Sequence, residues 1–357
     1  MKKSTLTSGL KNEKERDFIE GLALAQKMAQ DLNDMLYEFH QYPQPYDDEM
    51  DAELHDQYAR VLREQLGEKN AWRKYIYGPD GVKRPAFGPS ASGNSDRELY
   101  EKAVGGRKAA DPQTPTPNQR DWTSLGSAIG DLVQREILLC ERHFEKFTGR
   151  APKFRFERTD RGEPSFEHFR KVVHEVEYNG ERFALNGLPD GILIYTAEDG
   201  AEYRVGLEVK SFQKSYAEFR KLTEPKEGHV LQTYCYSEMY DLDYYIVLNQ
   251  LTYGVKWAQE LNRNKTFGLY VTDAERDVVL SKFARVTKAW RERKPPAIDL
   301  LDDWAYNDFK GAIVKSTTDE ELAGHREQLS RVLRSRMPDW KKQRLQAAVQ
   351  QIEEVRG

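Results

Sequence analysis

The pattern of hydrophobic and polar positions divides the chain into helical ends and a mixed central part. Apolar residues recur every three to four positions between about 11 and 68, which predicts helices, and 297–357 follow the same rhythm. Residues 78–118 are rich in Gly, Pro, Ser and Asn, a composition typical of loops and linkers. We therefore expect a helical N-terminal region at 1–86, a loop and linker segment at 87–120, a core at 121–296 and a C-terminal helical region at 297–357.

The central part alternates between helical and strand patterns. A helix is predicted at 123–147 and a second at 228–240, and helix returns after Tyr270. Runs of apolar and β-branched residues predict strands at 172–178, 183–195, 203–212 and 244–249. Helix, three strands, helix and strand is an α/β arrangement, in which we expect a central mixed sheet flanked by helices.

Ionisable residues interrupt segments that otherwise have the composition of buried strands. Residues 188–194 and 205–210 are apolar on both faces, as in strands covered on both sides, yet they contain Asp190, Glu208 and Lys210. Burying an unpaired carboxylate costs several kcal/mol. These charges therefore need partners, and a divalent metal ion is an effective partner for clustered carboxylates.

Simple strand geometry brings these charges together. Glu208 and Lys210 are two residues apart, so they project from one face of a strand. If Glu198-Asp199-Gly200 forms a three-residue hairpin loop with the glycine in the left-handed region, Ala197 pairs with Ala201. Counting back along the ladder then places Asp190 opposite Glu208, with Cβ atoms about 5 Å apart.

The predicted helices add further polar groups. Glu136 lies in the middle of an apolar stripe, whereas Asp131 has polar neighbours, so Glu136 is the better candidate for a metal-site carboxylate. On the helix at 228–240, one face carries His229, Gln232 and Tyr236.

Composition changes this picture little. The formal net charge is −4, and two cysteines, Cys140 and Cys235, neither form a four-cysteine metal site nor suggest a disulfide framework. A reducing cytoplasm is the expected location, and neither a signal peptide nor a membrane span is expected. Two segments, 281–294 and 325–346, are strongly basic; solvated helix faces explain each of them as well as phosphate binding does.

Each motif alone has an ordinary explanation as a turn, an exposed strand or a helix surface, but their order is specific. Helical Glu136, Pro189-Asp190, Glu208-Val209-Lys210 and Gln232 with Tyr236 follow one another within about 123–249. In this order the sequence resembles the PD-(D/E)xK nuclease superfamily. It is most similar to the RecB-type branch, which includes lambda exonuclease and the CRISPR-adaptation exonucleases, and in which a Gln motif follows the lysine.

Two departures from that branch matter. Several relatives hold an iron–sulfur cluster, but the corresponding stretches Asn94-Ser95-Asp96 and Ala305-Tyr306-Asn307 contain no cysteine, so no cluster is expected. Many relatives also carry a histidine on the first helix, where this chain has Gly130.

The resemblance implies a restriction-endonuclease-like fold and a metal-dependent DNA exonuclease acting in recombination, repair or phage DNA metabolism. One or two Mg²⁺ or Mn²⁺ ions would be held by Asp190, Glu208, Glu136 and the carbonyl of Val209. Lys210 would position or activate the attacking water. Gln232 and Tyr236 would orient Lys210 or the DNA.

DNA is the expected partner, and contacts to it are assigned to His229, Lys282, Arg285, Lys288 and Arg291. A helicase or a single-strand annealing protein is a further expected partner. Three alternatives stay open: a structure-selective endonuclease, a non-catalytic DNA-binding module on a nuclease scaffold, and a helical interaction protein with a chance motif.

Overall fold

The structure is a computed structural model that describes residues 4–67, 77, 80–106, 117–252, 260–305 and 307–356, with side chains from residue 15 onward. Most of the Pro-rich part of the predicted linker, together with Tyr306, lies outside the described residues. None of the helices in these ranges is long and apolar enough to cross a lipid bilayer.

The described residues form ten helices and eight strands. The helices are α1 (Ser4–Phe39), α2 (Asp48–Gly67), α3 (Asp96–Ala103), α4 (Pro117–Thr148), α5 (Tyr216–Arg220), α6 (Glu227–Tyr240), α7 (Asp273–Glu292), α8 (Lys310–Ser316), α9 (Asp319–Leu333) and α10 (Asp339–Arg356). The strands are β1 (Ala86–Phe87), β2 (Phe154–Phe156), β3 (Val172–Tyr178), β4 (Glu181–Gly187), β5 (Gly191–Thr196), β6 (Glu202–Phe212), β7 (Tyr244–Leu251) and β8 (Asn264–Tyr270). Short 3₁₀ turns are present at Pro89–Ala91 and Glu167–Arg170.

Five strands form the central sheet in the order β2-β5-β6-β7-β8. Strands β6 and β7 are parallel and the other neighbours are antiparallel, so the sheet is mixed. The parallel pair requires a crossover, which α5 and α6 provide. A smaller sheet has the order β1-β4-β3. The predicted α/β class, with a mixed sheet flanked by helices, is confirmed.

One predicted strand is wrong. Residues 183–195 do not form a single strand, because the chain leaves β4 at Gly187, turns through 188–190 and enters β5 in the other sheet. Pro189 lies in this turn, and proline lacks the N–H that a central strand donates to its ladder. Strands β2 and β8 were not predicted from the pattern.

The predicted hairpin register is confirmed. The N–H of Ala197 donates to the carbonyl of Ala201 at 2.8 Å, and Gly200 has a φ of +85°, in the left-handed region. From there the ladder runs without a shift to the pair Gly191 and Leu207. One further step places Asp190 opposite Glu208.

Helices cover both faces of the central sheet. On one face α1 and α4 bury apolar side chains against β5, β6 and β7, and α1 lies so close to β8 that a Cβ on Gly268 would collide with its backbone. On the other face α6 and α7 pack over Ile192 and Tyr245. The C-terminal helices enclose a core cluster of their own, which includes Leu300, Ile313, Leu345 and Ile352.

Candidate active site

The two carboxylates predicted to face each other lie at the junction of β5 and β6. Asp190 directly precedes β5, and its Oδ2 accepts a hydrogen bond of 2.7 Å from the backbone N–H of Val209. Glu208, within β6, is only 1% exposed. From α4, the side-chain amide of Gln134 donates to the backbone carbonyl of Asp190 at 2.9 Å. Asp190 is thus held from β6 and from α4.

Lys210 follows Glu208 on the same face of β6. Its ammonium forms an ion pair with the Glu208 carboxylate and donates to Oε1 of Gln232, on α6, at 3.2 Å. Asn249 is paired with Lys210 across β6 and β7, so the two side chains share a face; Nδ2 of Asn249 is buried without a hydrogen-bond partner. Lys210 is therefore held between a carboxylate and an amide in a polar part of the sheet.

Burial makes the carboxylate pair electrostatically unfavourable. Burial first, and then the charge of Asp190, raise the pKa of Glu208 to about 8. Burial also raises the pKa of Asp190, against the opposing effects of the Val209 N–H and the Lys210 charge. Moreover, Oε2 of Glu208 is buried and has no hydrogen-bond partner. An orphaned carboxylate oxygen of this kind calls for a cation or a proton.

The polar face predicted on α6 is present, and its residues contact different parts of the site. Gln232 contacts Lys210, whereas the hydroxyl of Tyr236 donates to the carbonyl of Leu188 at 2.5 Å. Tyr236 therefore fixes the turn that carries Asp190. Burial, followed by the charge of Lys210, lowers the pKa of His229 to about 4, and its buried Nδ1 has no hydrogen-bond partner. His229 thus lies near Lys210 as a neutral imidazole.

Among the described residues, Glu136 makes its hydrogen bond to His40 rather than to a member of this cluster. The Oε2 of Glu136 lies 3.2 Å from Nε2 of His40, just beyond the end of α1. Successive helical residues are about 100° apart, so Gln134 and Glu136 point to nearly opposite sides of α4. It is Gln134 that contacts the Asp190 segment.

Sequence reasoning missed Glu167. Its backbone N–H donates to the carbonyl of Pro189 at 2.8 Å, which holds Glu167 next to Asp190, and its φ of +47° is unusual for a residue other than glycine. Burial, together with the charges of Asp190 and Asp131, raises the pKa of Glu167 to about 7. No spacing rule could have identified Glu167, because it begins a single short 3₁₀ turn before the β3–β4 hairpin, and one turn is too short to show a periodic pattern.

The carboxylates do not form a complete metal cage. Within the described part of the chain, no group of three His, Cys, Asp or Glu side chains is arranged so that it could hold a metal ion by itself. The oxygen donors available here are the carboxylates of Asp190 and Glu208 and the backbone carbonyl of Val209, the residue that follows Glu208. Any ion at this position would need further oxygen ligands from water or substrate.

Three of the four cations predicted on α7 to contact DNA are engaged within the protein. Lys282 donates to the carbonyl of Ser92 at 2.8 Å, Arg285 pairs with Asp96 at 3.1 Å and Arg291 pairs with Glu181 at 2.7 Å. Lys288 is exposed and forms no ion pair with a described residue. These contacts attach α7 to neighbouring elements.

Comparison with known proteins yields only distant likenesses. No protein-family model matches the chain, and no curated protein matches it. The crystal structure of SSO0001 covers 71% of this chain and 94% of its own, at 12% identity and a TM-score of 0.37. The alkaline exonuclease LHK-Exo from Laribacter hongkongensis covers 59% of this chain and 90% of its own, at 12% identity and a TM-score of 0.33.

A phage-related exonuclease from Haemophilus somnus 129PT covers 60% of this chain and 98% of its own, at 11% identity and a TM-score of 0.33.

Proposed function

We propose that the protein is a metal-dependent deoxyribonuclease that hydrolyses phosphodiester bonds at the Asp190–Glu208–Lys210 site. The observation that carries the proposal is the buried pair of opposed carboxylates, in which Oε2 of Glu208 lacks a hydrogen-bond partner and a lysine lies two residues further along the strand. The order of these residues along the chain also supports a PD-(D/E)xK nuclease.

The residues present fit a divalent cation. Asp190, Glu208 and the carbonyl of Val209 would hold Mg²⁺ or Mn²⁺, which prefer oxygen ligands; Mg²⁺ usually binds through one or two carboxylates, several waters and substrate phosphate. A site with only two carboxylates is therefore sufficient. When bound, such an ion lowers the pKa of water and neutralises charge on the phosphate.

The side chains around the pair then have separate tasks. Lys210, held by Gln232, would position the attacking water and stabilise the charge that develops on the phosphate oxygens. Tyr236 holds the carbonyl of Leu188 and thereby the position of Asp190. Glu167, rather than Glu136, would be the further acidic group beside the pair, because the charge of Asp190 raises the pKa of Glu167 and the charge of Glu167 raises the pKa of Glu208.

We infer an exonuclease mode from the sequence resemblance to RecB-type enzymes. The test incubates the purified protein with linear and covalently closed DNA in Mg²⁺, Mn²⁺ or EDTA, beside Lys210→Ala. Metal-dependent loss of linear DNA alone, abolished in the variant, supports an exonuclease. Cleavage of closed circles would indicate an endonuclease, and intact DNA under every metal condition would overturn the catalytic proposal.

A further inference from the structure

The turn between the last two helices carries a concentration of positive charge. Residues 331–344, named here the basic tip, span the end of α9 and the start of α10. They include one acidic residue, Asp339, and six basic ones: Arg331, Arg334, Arg336, Lys341, Lys342 and Arg344.

Most of this charge is not neutralised within the protein. Five of the six cations form no ion pair with any described residue (Arg331, Arg334, Arg336, Lys341 and Arg344), and Lys342 reaches Asp339 only at 4.0 Å. By contrast, Arg326 and Arg356, on the same two helices, each contact a carboxylate at 2.6 Å. The free cations therefore give the tip a net positive field that attracts a polyanion.

An exposed tryptophan lies within the basic tip. The Trp340 side chain is 55% exposed, and both Nζ of Lys341 and Cζ of Arg344 lie near its ring, at 5.5 and 5.2 Å from the centroid. An aromatic ring beside unpaired cations is the combination that binds single-stranded nucleic acid, because bases stack on the ring while cations hold the phosphates.

We propose that the basic tip is a second DNA-binding site, separate from the catalytic residues. Its cations would bind phosphates and Trp340 would stack on an unpaired base. DNA is favoured over a membrane surface because the apolar residues of α10, such as Leu345, Val349 and Ile352, are buried in the C-terminal core. This inference rests on the proposed function only in taking DNA as the ligand.

The helix α9, which leads into the tip, contacts the preceding part of the chain, and the tip itself contacts the segment before α8. Arg97, on α3, is fully buried and binds Glu321 of α9 at 2.7 Å, while Arg344 donates to the carbonyl of Leu301 at 3.2 Å. DNA held at the tip would therefore stay tethered to the catalytic part while the active site is between cleavage steps.

The test measures DNA affinity by fluorescence anisotropy in EDTA, with a labelled duplex that carries a single-stranded end. The variant Arg334→Gln/Arg336→Gln is compared with Arg326→Gln/Arg356→Gln, which changes the net charge equally but removes paired arginines. In the tip variant we expect the plot of log affinity against log salt to become shallower by about 1.4 to 1.8, because each lost phosphate contact accounts for about 0.7 on a single strand and about 0.9 on a duplex. The control should keep the wild-type slope.

The aromatic contribution is tested on the single strand alone. Trp340→Ala should weaken binding roughly tenfold, and Trp340→Phe should restore most of it. An unchanged salt slope in the tip variant, equal losses in tip and control variants, or binding to anionic lipid vesicles without binding to DNA would each overturn the proposal. Because EDTA prevents metal-dependent cleavage, the result is independent of whether wild type degrades DNA.

Discussion

The backbone N–H of Val209 donates a 2.7 Å hydrogen bond to the carboxylate of Asp190. This bond connects the first residue before β5 to the middle of β6, at the step of the ladder where Asp190 faces Glu208. The side-chain carbonyl of an asparagine at position 190 could accept the same bond. Asp190→Asn therefore removes the negative charge but can keep the hydrogen bond that holds the segment in place.

Asp190→Asn is expected to abolish activity without unfolding the protein. We expect hydrolysis to fall at least about a hundredfold, the scale on which loss of one preorganised electrostatic group acts. Because the variant also removes a repulsive buried charge, its melting temperature without metal should equal or exceed that of wild type. Cleavage rates and thermal unfolding measured on one preparation check both; near-wild-type cleavage would contradict the assignment.

The contribution of Glu208 to the stability of the metal-free protein should fall as pH rises between about 4.5 and about 8. Glu208 has its pKa raised from 4.5 to about 8 on folding, so the folded state retains a proton that the unfolded state releases in this window. The contribution of Glu208 to the free energy of unfolding is therefore fully present below pH 4.5 and is lost as the pH rises through about 8. Thermal unfolding in EDTA across this range should show a smaller decline for Glu208→Gln; equal declines would contradict the pKa shift.

Glu167→Gln should impair activity far more than Glu136→Gln. Glu167 is coupled electrostatically to Asp190 and Glu208, whereas Glu136 contacts His40. We expect a loss of roughly tenfold or more for Glu167→Gln and a near-wild-type rate for Glu136→Gln. Initial cleavage rates at saturating Mg²⁺ distinguish the two. A larger loss of activity in Glu136→Gln than in Glu167→Gln would instead support Glu136 as the metal-site carboxylate predicted from the sequence.

Arg97→Met should loosen the C-terminal helices. Arg97 is fully buried and binds both Glu101 and Glu321, so its loss leaves carboxylates without their counter-charge, at a cost of about 3–5 kcal/mol. Arg326→Met removes an exposed pair with Glu353 and should cost about 1 kcal/mol or less. Hydrogen exchange of 310–356 and denaturant unfolding would reveal the difference; similar losses in both variants would contradict the role of Arg97.

The sequence predicted those features that depend on local periodicity. The loop Glu198-Asp199-Gly200 determines the hairpin register, and the register alone brings Asp190 opposite Glu208. The break at Pro189 was not anticipated, because an apolar run on both sides of a proline has the composition of one strand. The switch of the chain from one sheet to the other there is a tertiary feature.

Long-range packing explains the remaining gaps. The apolar stripe on the helix predicts that Glu136 points towards the protein interior. The stripe does not predict which part of the interior contains Asp190 and Glu208. Glu167 reaches Asp190 through a short 3₁₀ turn that carries no periodic signal. Likewise, the basic segment on α7 resembles a DNA-binding surface in sequence, yet the acidic partners of Arg285 and Arg291 come from distant parts of the chain.

The central claim is that Asp190 and Glu208 hold a catalytic divalent ion. The most direct test is a titration of the protein with Mn²⁺, measured by isothermal titration calorimetry. Wild type and Glu136→Gln should bind Mn²⁺ with similar affinity, while Asp190→Asn and Glu208→Gln should bind it at least about tenfold more weakly. Equal Mn²⁺ affinity in wild type and Asp190→Asn, or no binding to wild type, would contradict the account.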